Sequence, residues 1–256
     1  MGQRFSFKSP PIFIAARMSS SRLPGKVLMN FGNQPLLEHV VQASSAAETA
    51  NHVIVVTSHD PSDDSIEHWC QINNVHVWRG ELNDVASRML GAADHLGTDS
   101  FIRVSGDSPM LDPAIISYAS LRFVESQPDL VTNVRPRSFP SGQSVEVVRA
   151  STLGRLLRDT SPSLELREHV TSILYVNEAS VAIERFEPSD LSPEMILRSE
   201  NFCSMTVDTP DDAACFRHII DTTNMTRVWT QGWMRCQEFV RTANLELREI
   251  GESHLG

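Results

Sequence analysis

The sequence predicts an α/β fold on a mostly parallel sheet, and three observations carry that expectation. Ile12 to Ala16 and Val53 to Thr57 are short, unbroken apolar runs of the kind buried on both faces of a sheet. Segments with apolar residues at helical spacing separate the runs. Strand, helix, strand, helix and strand thus follow within the first eighty residues, an order suited to right-handed crossovers. Loops rich in Gly, Ser and Asp or Arg follow several runs directly, where open sheets place their ligand crevice.

After Ile12 to Ala16 come Arg17, Ser19, Ser20, Ser21, Arg22, Pro24, Gly25 and Lys26, which combine two guanidiniums, an ammonium and three hydroxyls in an irregular loop. Such a loop can present N–H groups and cations together to a polyphosphate; a solvated basic turn is the competing reading. The chain holds only two lysines, Lys8 and Lys26, and one of them ends this loop. Neither G-x-x-x-x-G-K-[ST] nor G-x-G-x-x-G fits it. Pro35 to Ala47 places Leu36, Leu37, Val40 and Val41 on a helical face, and Val53 to Thr57 is a strand. A polar turn, Ser58 to Asp64, leads to a helix through Ile66 and Trp69 and a short strand, Val75 to Trp78.

Asn83 is placed to cap a helix carrying Val85, Met89, Ala92, Ala93 and Leu96. The strand Phe101 to Val104 runs into Ser105-Gly106-Asp107-Ser108-Pro109, and Asp112-Pro113 restarts a helix. Leu130 to Val134 and Val145 to Val148 are strands around the Pro/Gly-punctuated loop Pro136 to Ser144. Helices at Ser151 to Leu157 and Leu166 to Val176 and strands at Val181 to Phe186 and Cys203 to Val207 come next. Thr209 then opens a helix bearing Ala213, Phe216, Ile219 and Ile220. Beyond Asp221, Trp229, Trp233, Phe239 and Val240 suggest a terminal helix, packed on the domain or on a second subunit. The division is an arm, residues 1–10, one domain, 11–221, and a helical extension, 222–256.

Composition narrows the partners. With 22 basic and 32 acidic side chains the formal charge is −10, which argues against general nucleic-acid binding. Four dispersed cysteines read as reduced thiols of a cytoplasmic protein. No stretch approaches the ~18 apolar residues of a membrane span, so no membrane partner is expected.

A triphosphate in the basic loop would keep part of its charge, and Mg2+ held by carboxylates at neighbouring strand ends would offset the rest. Asp107 and Asp208 each follow a predicted strand. An ordinary turn and an ordinary helix start are the competing readings. At the second site Thr209 can cap the helix and Asp211 or Asp212 can complement its dipole, which leaves Asp208 spare.

The loop pattern A-x-R-x-x-S-x-R-L-P-G-K, Ala15 to Lys26, resembles the nucleotide-binding loop of the sugar-acid cytidylyltransferases. These are the CMP-Kdo and CMP-sialate synthetases and especially their spore-coat-polysaccharide-biosynthesis relatives. Arg103 to Pro113 and Met205 to Asp212 resemble the family's two magnesium segments. With Val77 to Glu81 and Arg167 to Thr171, the likeness covers most of residues 11 to 221. It implies a single-domain Rossmann-like nucleotide-diphospho-sugar transferase fold, with a mixed, mostly parallel sheet flanked by helices. It also implies transfer of CMP from CTP to a small-molecule acceptor with release of pyrophosphate, Mg2+ dependence and a homodimer.

Residue by residue, the resemblance gives Arg17, Arg22 and Lys26 the triphosphate and Asp107 and Asp208 the metal. Ala15, Ala16, Ser19, Ser21, Thr57, Ser58 and Ser105 surround the nucleotide; for Thr57 and Ser58 a polar strand-end cap is an equal alternative. The acceptor side is the stretch Asn133 to Glu146, with Asn133, Gln143 and Glu146 singled out in it, together with Arg167, Glu168 and His169. Arg and His there can bind an anionic acceptor such as a carboxylate, although Glu168 and His169 also read as a structural helix-start pair. Where the family often carries P-D-G-x-D-x-E, this chain reads Pro140-Ser141-Gly142-Gln143-Ser144-Val145-Glu146. Both aspartates are missing, which points to a different sugar or a non-sugar acceptor. Another nucleotide base, a phosphorylated or phosphonate acceptor, and a non-catalytic nucleotide-binding scaffold are the other readings.

Overall fold

The first strand, β1 (Ile12–Ala15), lies inside the sheet because all but its last residue are buried. The computed structural model describes residues 9–191 and 202–253. A small antiparallel pair, β2 (Asn30–Phe31) and β3 (Gln34–Pro35), leads into α1 (Leu36–Ser45). β4 (Val53–Ser58), α2 (Asp64–Ile72), β5 (His76–Gly80), α3 (Val85–Leu96), β6 (Ser100–Ser105) and α4 (Pro113–Ser126) then alternate as expected. β7 (Leu130–Thr132) and β8 (Glu146–Arg149) flank the long loop, and α5 (Ala150–Thr160) follows. The chain continues through α6 (Leu164–Glu168), α7 (Ser172–Val176), β9 (Ile183–Arg185), α8 (Pro188–Leu191), α9 (Pro210–Thr223) and α10 (Trp233–Ser253).

The main sheet has the order β5-β4-β1-β6-β8-β7-β9. Only β8 runs antiparallel to its neighbours, so the sheet is mixed and mostly parallel. The chain winds from β1 out to β4 and β5 and then crosses back to β6 on the other side of β1. The C-terminal ends of β1 and β6 therefore mark the point where the winding reverses, the crevice that open α/β sheets use for ligands.

Alternation along the strands fills two cores. Ile12, Ile14, Val55, Ile102, Val104 and Val147 face one layer with α1, α2, α4 and α9. Phe13, Ile54, Val56, Phe101, Leu130 and Val148 face the other with α3, α5 and α7. Val228, Trp233, Cys236, Val240 and Ala243 belong to the first of these cores, so α10 packs on its own chain. No helix among the described residues is long and apolar enough to cross a membrane.

Four local expectations change. Asp84, not Asn83, caps α3, because its carboxylate reaches the Ser87 N–H at 2.9 Å. The single helix expected over Leu166 to Val176 splits into α6 and α7, with Val170 at φ 41 between them. A β-branched residue in the left-handed region is disfavoured, and its fully buried side chain shows what holds it there. Cys203 to Val207 joins no sheet, since its N–H groups are taken by loops: Met205 donates to the Ser141 carbonyl and Val207 to that of Asp107. The strand expected over Val181 to Phe186 contracts to Ile183–Arg185.

Candidate active site

Three segments far apart in sequence meet at the C-terminal end of β1. The parallel register sets Ala15 beside Ser105, and the Gly106 N–H donates to the Ala15 carbonyl at 2.8 Å. Glycine is required there, because a Cβ would stand 2.8 Å from that same oxygen. Asp107 therefore sits directly over the strand end. Gly142, at φ 93, lets Met205 approach closely, and the Val207–Asp107 backbone bond of 2.9 Å delivers Asp208 to the same place. The Thr209–Asp212 capping box opens α9, and Asp212 also accepts the Asp208 N–H at 3.1 Å, which leaves the Asp208 carboxylate out of the cap.

The basic loop closes over this floor. Asp63, fully buried, accepts the Met18 N–H at 2.7 Å and both the N–H and the hydroxyl of Ser58. At the far end of the loop, Lys26 Nζ donates to Asp107 Oδ2 at 2.8 Å and to Asp208 Oδ1 at 2.5 Å. Arg22 reaches Asp208 Oδ2 at 3.1 Å, and Arg17 spans the mouth to Glu168 Oε1 at 2.9 Å. Burial works to raise the Asp208 carboxyl, but the hydrogen bond and charge of Lys26, with Arg22 behind them, outweigh it and hold it below the ordinary carboxylate range.

These groups line a cleft of about 330 Å3, floored by Ala15, Ala16, Ser105 and Gly106 and walled by Ser20, Ser21, Arg88 and His169. It presents cations and hydroxyls that can grip a polyphosphate, beside a carboxylate pair that could hold a divalent cation against it. Among the described residues no cysteine lines this cleft, and burial pushes the Cys70 and Cys236 thiols up to about 12 and that of Cys215 to about 11.

A sequence model of the cytidylyltransferases matches residues 12–209. The chain belongs to the cytidylyltransferase family. The matched stretch runs from β1 to the cap of α9 and so includes every segment that forms the cleft. The spore coat polysaccharide biosynthesis protein SpsF of Bacillus subtilis is 28% identical over 203 residues, 78% of this chain and 81% of the relative. The 3-deoxy-manno-octulosonate cytidylyltransferase of Chlorobaculum tepidum is 30% identical over 211 residues, 74% of this chain and 81% of the relative. A solved cytidylyltransferase from Leptospira borgpetersenii superposes with a TM-score of 0.78 over 90% of this chain and 95% of its own, at 24% identity. That likeness speaks for the fold.

The residues expected at the cytidylyltransferase site do not all meet. Arg17, Arg22, Lys26, Asp107 and Asp208 converge, and Ala15, Ala16, Ser21 and Ser105 line the same cleft. Ser19 points to solvent outside it, and Ser20 takes its place. Ser58 is spent on Asp63. Thr57 is fully buried, and its hydroxyl finds no partner among the described residues.

On the acceptor side, a second cleft of about 340 Å3 adjoins the first and shares Arg103, Ser105, Asp107 and His169 with it. Glu146 lies in its wall, but both of its oxygens are engaged. Oε1 accepts from Tyr175 at 2.6 Å, and Oε2 accepts from Arg103 at 2.8 Å and Thr171 at 2.9 Å. Burial and then Glu146 raise the Tyr175 phenol above its ordinary value, so the hydroxyl stays a donor. Asn133, Gln143 and Arg167 depart from expectation because protein groups take their polar atoms. Asn133 holds the Gln143 carbonyl and the Val145 N–H, and Gln143 holds the Met110 carbonyl and the Asp112 N–H. Arg167 donates to the α3 cap residue Asp84 at 2.5 Å.

Sequence reasoning passed over Asp63, Arg88, Arg103 and Tyr175, and reached Arg135 and Arg137 only as members of the stretch Asn133 to Glu146. Asp63 could have been found as a second carboxylate beside the Asp60 cap; the arginines are single charges in ordinary helix, strand and loop contexts and carried no local signal. Arg88, 3% exposed, donates to the carbonyl of Glu81 at 2.9 Å while its Nε has no partner among the described residues.

Proposed function

We propose that this chain transfers CMP from CTP to a hydroxyl of a sugar acid and releases pyrophosphate, acting with Mg2+ as a cytoplasmic homodimer. The observation that carries the reading is the meeting of Lys26, Asp107 and Asp208 under the Arg17–Arg22 loop, inside the segment matched by the family. The relatives named for spore coat polysaccharide and for 3-deoxy-manno-octulosonate favour a surface-carbohydrate acceptor.

Two carboxylates suit Mg2+, a hard cation usually held by one or two protein carboxylates with phosphate oxygens and water completing the shell. Among the described residues no group of three or more His, Cys, Asp or Glu gathers as a metal cage, so the substrate would complete the ligand set. When bound, the ion supplies charge neutralisation on the phosphates. Arg17, Arg22 and Lys26 exchange their carboxylate partners for phosphate oxygens and stabilise the leaving pyrophosphate. The acceptor oxygen, entering from the second cleft, forms its bond to the α-phosphorus as the bond to the bridging oxygen breaks. His169, which lines both clefts, receives the hydroxyl proton. Positioning and electrostatics carry such a step.

The test is pyrophosphate release with each of the four nucleoside triphosphates against a panel of sugar acids. CTP should be used best. Asp107→Asn and Asp208→Asn should keep the fold and lose turnover by about two orders of magnitude or more. Full Mg2+-dependent turnover in both variants would end the metal assignment, and light scattering reads the dimer.

A further inference from the structure

The second cleft has more positive charge than its own carboxylates neutralise. Its charged lining is Arg103, Arg135 and Arg137 against Asp107 and Glu146. Asp107 is held by Lys26 and Glu146 by Arg103. Arg135 and Arg137 have no carboxylate partner among the described residues. Arg137 donates from Nη1 to the neutral Ser144 hydroxyl at 3.0 Å. The Arg135 guanidinium carbon lies 5.2 Å from the centre of the Tyr175 ring, a contact that spends none of its N–H groups on a carboxylate. Both are exposed at the rim of the cleft, remote in sequence from the loop that takes the triphosphate.

We propose that the acceptor carries a phosphate ester distant from its attacking hydroxyl, and that Arg135 and Arg137 hold that phosphate. The inference rests on the CMP-transfer reading above and names the acceptor class. Two planar guanidiniums match the oxygens of a phosphate dianion through paired N–H donors, a match that a neutral sugar tail cannot make. Ser144 sets this preference. A carboxylate at its position would neutralise Arg137 from within, whereas the hydroxyl only orients it. Arg135 and Arg137 are thus specificity-determining residues.

The experiment is calorimetric titration of the full chain, with CMP and Mg2+ present. The matched probes are 3-deoxy-manno-octulosonate and the same sugar acid phosphorylated on its terminal hydroxyl; inorganic phosphate is a third arm. The phosphorylated probe should bind roughly tenfold tighter than the plain sugar acid, and inorganic phosphate should compete with it. Arg137→Ala and Ser144→Asp should each bring the two probes to nearly equal affinity while leaving CMP affinity and the melting temperature as in the parent. Equal affinities in the parent, including binding of neither probe, overturn the proposal, as does a preference that survives both variants. Binding is read without turnover. A phosphate preference in a chain that transfers no CMP would therefore sink the CMP-transfer reading, and the acceptor class with it, while leaving Arg135 and Arg137 as a phosphate-binding pair.

Discussion

Lys26 and Asp208, 182 positions apart in sequence, are joined by a 2.5 Å contact from Nζ to Oδ1. The same ammonium, 8% exposed, also reaches Asp107, so one lysine cation holds together the two carboxylates assigned to a metal. A divalent ion that arrives with the triphosphate can release the lysine to the phosphates, which would keep both carboxylates engaged in either state.

Replacing Lys26 by Met leaves two partly buried carboxylates facing each other with only the exposed Arg22 guanidinium beside Asp208. The variant should lose about 1–3 kcal/mol of stability, less than a fully buried pair would cost because both carboxylates see some water. Added Mg2+ should recover much of the loss and leave the parent unmoved, as read by thermal melts with and without the ion. CMP transfer should fall by about two orders of magnitude. A variant melt insensitive to Mg2+ would contradict the shared cation site.

Gly106→Ala tests the floor. Its Cβ would meet the Ala15 carbonyl oxygen at 2.8 Å, and backbone rather than a flexible side chain must give way. The shift moves Asp107, so turnover should drop by about tenfold or more with a stability loss of about 1–3 kcal/mol. Unchanged turnover in a folded variant would mean that the floor does not set the Asp107 position.

Arg88 lies in the wall of the nucleotide cleft, and burial, moderated by Asp63 and reinforced by Arg17, pushes its guanidinium down to about 10, still protonated at neutral pH. Arg88→Met should raise the dissociation constant of CTP by roughly tenfold, the loss of one charge-assisted hydrogen bond. It should also destabilise the chain by about 1–3 kcal/mol, since the Glu81 and Leu82 carbonyls lose their donor. Calorimetry with CTP and a denaturant melt separate the two effects.

His39 gives a pH signature to the fold. Its ring is 1% exposed, with Nδ1 2.8 Å from the Thr226 carbonyl and Nε2 3.2 Å from that of Phe31. Burial lowers its pKa below 6.5, outweighing the two carbonyls and Glu38, which favour the charged form. The unfolded chain thus takes up a proton near 6.5 that the folded chain resists. Stability is fully present above that pH and falls as the pH drops towards the folded value. The slope contributed is at most about 1.4 kcal/mol per pH unit. Melts between pH 7 and pH 5 should show the decline, and His39→Gln should flatten it.

What the sequence determined alone is what is written within a few neighbouring residues. Buried strands at Ile12, Val53 and Phe101, the cap at Thr209 that leaves Asp208 spare, and the basic loop ending at Lys26 all follow from local periodicity and turn chemistry. Family motifs added the expectation that Asp107 and Asp208 serve one ligand. The tertiary structure decided which polar side chains are spent on the protein itself. Asn133, Gln143 and Arg167 carry the same chemistry as true ligands, and only their partners show that they brace the loops and the α3 cap. Likewise the split at Val170, which sets His169 between the clefts, and the surplus charge of Arg135 and Arg137 depend on packing across strands far apart in the chain. The physical reason is range. Backbone preference acts over one or two turns, whereas a hydrogen bond between residues a hundred positions apart exists only once the strand order has brought them together.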